Sequence, residues 1–152
     1  MTWEELPIIK IQQIIGYEFK NKDLLRQAFT TVRYWYSKTT YNHDLLPYVG
    51  KAIIFDVIDE LVKARKLTSE KATFIKDEYD TVCFNLMQQT NLISYLIYAP
   101  NEDVNEYQKA QDINDLFSLI VCAVYFENKN QLTDNVKKVV TNILRYQFKL
   151  GD

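Results

Sequence analysis

An all-α fold, a bundle of helices around one core, is what this sequence predicts, and three observations carry it. Gly and Pro are scarce, three of each in 152 residues, so there are few places for tight turns. Apolar residues recur three and four apart along most of the chain. No stretch sustains the alternation of a half-buried strand. The β-branched run "AIIFDVI" lies inside a longer segment of helical period.

The elements follow in order. "LPIIKIQQIIGYEF" puts Ile8, Ile11, Ile14 and Ile15 on one stripe, and Gly16 ends it. "NKDLLRQAFTTV" opens with Asn21 as a cap and Asp23 in the first turn, with Leu24, Leu25 and Phe29 on one side. "YWYSKTTYNH" breaks the pattern and reads as a loop. From Asp44 to about Lys66 a long helix is predicted, with Asp44 as its N-cap. Pro47 then falls in the first turn, where its missing N–H costs no helical bond. "LTSEKATFIKDEYDTVCFNLMQQTNLISYLIY" starts at a Thr68/Ser69 cap and makes one long helix, or two with a break near Gln88 to Asn91. The run from Leu116 to Phe126 is apolar on nearly all sides and belongs at the bundle's centre. A last helix is capped by Thr133, carries Val136, Val139, Val140, Ile143 and Leu144, and is stopped by Gly151.

Length and composition set bounds on function. Residues 1–152 make one domain. The hydrophobic fraction of 47% is that of an ordinary globular chain. A net charge of −2 argues against a free-standing, generally basic nucleic-acid binder, so RNA binding would need a basic patch assembled by the fold. Eleven tyrosines are many, and tyrosine is favoured at partner surfaces. Cys83 and Cys122 stand apart in apolar runs, which predicts buried thiols and an intracellular, cytoplasmic setting. The acidic start "MTWEELPIIK" has no signal-peptide character, and the eleven-residue apolar run is too short to span a membrane.

Chemistry has few footholds. A single histidine, His43, supports no nucleophilic triad, and neither a phosphate loop nor zinc spacing is present. Carboxylates remain: Asp44, Asp56, Asp59 and Glu60 in one predicted helix, and Asp112, Asp115 and Glu127 in another. Acids on two facing helices are how a bundle holds Mg²⁺, a cation that prefers oxygen.

The order of segments resembles the ribonuclease III domain family. That family opens roughly L-G-Y-x-F-x-x-x-x-L-L-x-x-A-x-T-H. Here Ile15, Gly16, Tyr17, Phe19, Leu24, Leu25, Ala28 and Thr30 fit, while Thr31 replaces the histidine. Its signature helix, E-x-L-E-F-L-G-D-[SA]-[IV]-L, is matched by the stretch from Asp44 to Ile54. Its later helix, D-x-x-E-A-x-x-[GA]-[GA]-x-[FY]-L, is matched from Asp115 to Phe126. No motif is matched in full, but three matches in the right order span residues 8 to 145.

The resemblance implies a helical, dimeric, Mg²⁺-dependent endonuclease of double-stranded RNA whose metal is held by four acids. Carried over one position at a time, the second signature acid falls on Pro47 and the Asp after the glycine falls on Lys51. The later Asp is kept as Asp115, and the later Glu falls on Ser118. Asp44 keeps the first signature acid, which is not a principal ligand in the family. Two-metal hydrolysis needs convergent carboxylates, and an ammonium repels the cation it would replace. The expectation is therefore a catalytically degenerate domain with no metal, Asp44 and Asp115 being vestigial. Tyr48 and Gly50 match family positions of subunit contact and close packing. The partners implied are a second copy or a related domain, and structured or double-stranded RNA in an RNA-processing assembly, with no membrane. The C-terminal double-stranded-RNA-binding domain of full-length relatives is not expected. Two alternatives stay open: an active Mg²⁺-dependent nuclease with a relocated site using Asp44, Asp56 or Glu127, and a helical interaction protein with no RNA role.

Overall fold

The computed structural model describes residues 1–31 and 45–151. The "YWYSKTTYNH" segment, His43 and Asp44 lie outside them. Seven α-helices occur among the described residues: α1 (Ile8–Ile15), α2 (Lys22–Phe29), α3 (Leu46–Lys63), α4 (Ser69–Asp77), α5 (Tyr79–Gln89), α6 (Glu106–Glu127) and α7 (Asp134–Leu144). A 3₁₀ turn, Leu92–Tyr95, follows α5. Extended pairing among these residues is limited to one isolated parallel bridge, Thr30 to Ile97. The all-α expectation holds.

Helix α6 is the axis of the molecule, with α2, α3, α5 and α7 packed around it. Its apolar half explains the position. Leu116 and Phe117, Leu119 to Val121, and Val124 are all buried, so no face is left for solvent. Asn105 caps it, accepting from the Gln108 N–H at 2.8 Å. No helix among the described residues is long and apolar enough to cross a membrane.

Several local expectations are met. Gly16 ends α1 in the left-handed region at φ 74°, its N–H bonded to Gln12 O. Asn21 caps α2 and Thr68 caps α4 through their side chains. Cys83 and Cys122 are buried and unbridged.

Other boundaries differ. Helix α3 ends at Lys63, and Ala64 to Lys66 turn out of it. The Lys66 N–H bonds to Leu61 O at 2.9 Å and the Arg65 N–H to Val62 O at 3.0 Å, a paired closure that terminates the helix. The long segment after Thr68 breaks at Glu78, a residue early in the predicted run, as well as after Gln89. That offset sets Tyr79 inward at the start of α5. Thr133 stands at the start of α7 without capping it, because its hydroxyl donates to Asn128. Gly151 does not stop α7, which ends at Leu144. Instead the Gly151 N–H bonds to Lys66 O at 2.9 Å and pins the chain end beside α3.

Candidate functional site

The site is built where the first turns of α3 cross the middle of α6. Gly50 makes the crossing. A β-carbon there would lie 2.0 Å from the Ser118 carbonyl oxygen and 2.6 Å from its carbon, so no other residue fits without the helices parting. Gly50, expected beside Tyr48 at a subunit contact, is buried against the backbone of its own chain. Pro47 is the second residue of α3, where an N–H has no helical partner to lose.

Lys51 follows the glycine and is half-buried. Its ammonium sits 5.2 Å from the Tyr79 ring centre and 5.5 Å from that of Phe55. The two rings stand edge to face at 5.4 Å. The electron-rich faces of two aromatics thus hold the cation. Ser118 is 2% exposed, and its hydroxyl shares a 2.7 Å hydrogen bond with the Tyr79 hydroxyl. Burial raises the Tyr79 phenol well above its usual range and pushes the neighbouring Cys83 thiol up to about 12, so both stay protonated.

Asp115 lies three residues before Ser118, half-buried on α6. Burial raises its carboxyl to about 6, Asp112 and Asp80 push in the same direction, and the Gln111 amide opposes them by donating at 3.0 Å. An acid held this high lacks a strong compensating cation. Among the described residues no carboxylate stands within ion-pairing distance of Lys51.

A hard divalent cation needs several oxygens, anionic ones foremost. The motif positions here offer one carboxylate, one ammonium, a proline, and a hydroxyl already engaged by Tyr79. That donor set does not fit Mg²⁺. Among the described residues no group of three or more His, Cys, Asp or Glu side chains could hold a metal.

The other sequence candidates scatter. Asp56 is exposed on α3. Asp59 pairs with Lys76 at 2.5 Å and Glu60 with Lys137 at 3.1 Å. Asp112 is buried on α6. Glu127 ties the end of α6 to the segment between α1 and α2. It accepts from the Tyr17 hydroxyl at 2.6 Å and from the Lys20 and Asn21 N–H groups, and these bonds hold its carboxyl low. Asp44 lies outside the described residues. Tyr48 points away from the core at 71% exposure, with Leu45 and Val49 exposed beside it. An adjacent apolar groove is lined by Leu24, Ala28, Leu46, Cys122, Ala123 and Phe126. Phe55 and Tyr79, which define the surroundings of Lys51, carried no sequence signal beyond helical spacing.

No family model matches the chain. Ribonuclease 3 of Helicobacter acinonychis (strain Sheeba) is 27% identical over 156 residues, covering 97% of this chain. The chain is similar to ribonuclease III along nearly all of its residues. It spans 63% of the length of that relative, and 56% of Ribonuclease 3 from Francisella philomiragia, which is 28% identical over 140 residues. Two structures of the nuclease domain of ribonuclease III from Campylobacter jejuni share its fold. One has a TM-score of 0.68 at 22% identity and covers 92% of both chains. The other, described for structural flexibility in a region involved in dimer formation, has a TM-score of 0.66 at 23% identity and covers 91% of this chain and 94% of that one. The helical frame is therefore shared along nearly the whole chain.

Proposed function

We propose that this domain is a pseudo-nuclease: a dimerising scaffold that holds structured or double-stranded RNA without cleaving it and carries no resident metal. One observation supports the reading above the rest. The position of an expected metal-binding acid holds Lys51, whose ammonium rests on Tyr79 and Phe55 and so meets any approaching cation with like charge. Pro47 and Ser118 supply no anionic oxygen. A relocated site gains nothing from Glu127, whose oxygens are engaged around Tyr17, nor from Asp56, which is exposed on α3.

For dimerisation, the support is the exposed trio Leu45, Tyr48 and Val49 next to an apolar groove, since an amphipathic aromatic beside a hydrophobic slot suits a protein contact. The partner is a second copy or a related domain. Two buried, unbridged thiols suit a reducing cytoplasmic setting.

The test is one incubation of purified protein with long double-stranded RNA in Mg²⁺ or Mn²⁺, alongside a gel shift. A shift without cleavage is expected. Cleavage that vanishes in Asp115→Ala would overturn the proposal, and no shift even at low salt would leave a helical interaction protein with no RNA role. Light scattering reads the dimer, and a Tyr48→Ala protein that stays fully dimeric would remove Tyr48 from the interface.

A further inference from the structure

We infer that the far end of α3 carries a docking track for the phosphate backbone of RNA, separate from the candidate site. The inference rests on the reading that this domain holds RNA, and it names the surface that does so. Lys66 lies fifteen residues beyond Lys51, on the order of 20 Å along the helix direction, so the two regions are distinct places.

Two grooves meet there and share Lys66. One is lined by Lys66, Lys137, Lys138 and Arg145, with Glu60 and Asp134 as its carboxylates. The other adds Arg65, Lys71 and Lys149 and has no carboxylate in its lining. Seven basic side chains thus face two acidic ones on a chain whose whole carries −2. One of the two acids, Glu60, is already paired to Lys137. The face is assembled from residues 60–71 and 134–149, joined by the Gly151 N–H on Lys66 O.

Helix dipoles explain only part of it. Cations are favoured at helix C-termini, which covers Arg65 and Lys66 after α3 and Arg145 after α7. They are disfavoured at N-termini, yet Lys71 is the third residue of α4 and Lys137 the fourth of α7. Arg65 closes α3 with φ 58° and is an exposed arginine lining the groove.

The occupant is a polyphosphate chain rather than a protein or a membrane. None of the large exposed apolar side chains among the described residues lines either groove. A protein interface wants an aromatic or aliphatic anchor, and a membrane surface wants an apolar face to insert. Phosphates need only spaced cations.

The experiment measures anisotropy of a labelled 30-base-pair RNA duplex with the full chain in EDTA, from 50 to 300 mM KCl. Lys66→Glu/Lys138→Glu should weaken binding about tenfold or more and lower the salt slope by about two. Lys10→Glu/Lys129→Glu makes the same charge change at exposed lysines outside both grooves and should stay within about twofold. Arg65→Gly should melt higher yet bind severalfold more weakly, which separates lost contact from lost folding. Equal losses in the two double variants, or wild-type affinity in Lys66→Glu/Lys138→Glu, would overturn the track while leaving RNA binding itself in place. Tighter binding to phosphatidylserine vesicles than to RNA would overturn it in favour of a membrane. A wild-type protein that binds no RNA at 50 mM KCl would sink the underlying RNA reading as well.

Discussion

Among the described residues no cation pairs with Asp115, and removing its charge should stabilise the protein. The perturbation is Asp115→Asn, which keeps the shape and can still accept from the Gln111 amide. In the folded chain the carboxyl is raised from 3.8 to about 6, burial first among the causes and Asp112 and Asp80 adding to it. The folded state therefore holds a proton that the unfolded state releases. Wild-type stability should fall as pH rises from about 4 to about 6 and level off above that. A shift of that size corresponds to roughly 3 kcal/mol at most, at about 1.4 kcal/mol per unit. Because the half-buried side chain reaches water, screening reduces it to about 1–2 kcal/mol. Urea denaturation of both proteins at half-unit steps from pH 4 to 8 is the assay. Asp115→Asn should be the more stable by about 1–2 kcal/mol at pH 7.5, with the gain vanishing near pH 4. A difference that is flat with pH, or wild type being the more stable at pH 7.5, would refute the reasoning.

Gly50→Ala sets a methyl 2.0 Å from the Ser118 carbonyl oxygen, and overpacking of this kind should cost about 2–3 kcal/mol in urea denaturation; a loss under about 0.5 kcal/mol would mean the helices part easily. Ser118→Ala removes the hydroxyl partner of buried Tyr79 and should cost about 1 kcal/mol, while Tyr79→Phe/Ser118→Ala should lose less than the sum of the single changes. Strict additivity in that cycle would show the hydroxyl pair to be uncoupled. Replacing Pro47 with Glu, Lys51 with Asp and Ser118 with Glu puts an acid at each of the other three motif positions. Thermal melts should then rise with millimolar Mn²⁺ in the triple variant and stay unmoved in wild type; equal responses would count against the donor-set argument.

Sequence carried the helices well where local signals decide them. The αL glycine after α1, the Asn21 and Thr68 caps and the apolar run of α6 each act within a turn or two, and each reads directly. The break at Glu78 and the end of α7 at Leu144 were missed because tertiary packing sets them: Tyr79 turns in toward Phe55 and Ser118, and Gly151 answers to Lys66, residues with no local relation to them. The site was half legible for the same reason. Pro47, Lys51, Asp115 and Ser118 could be placed through a family frame, whereas the rings holding Lys51 and the basic face around Lys66 come from segments far apart in the chain.

The seat of Gly50 on Ser118 works as a notch. A single hydrogen occupies a gap that admits no carbon. One turn either way along α3 stand Leu46, Pro47, Ile53 and Ile54, each with a β-carbon, so the two helices can mesh in one register and no neighbouring one. Alignment is thereby divorced from chemistry. Residues 47, 51 and 118 can change identity while the helices that present them stay indexed to one another, so the frame can hold different sets of side chains without moving.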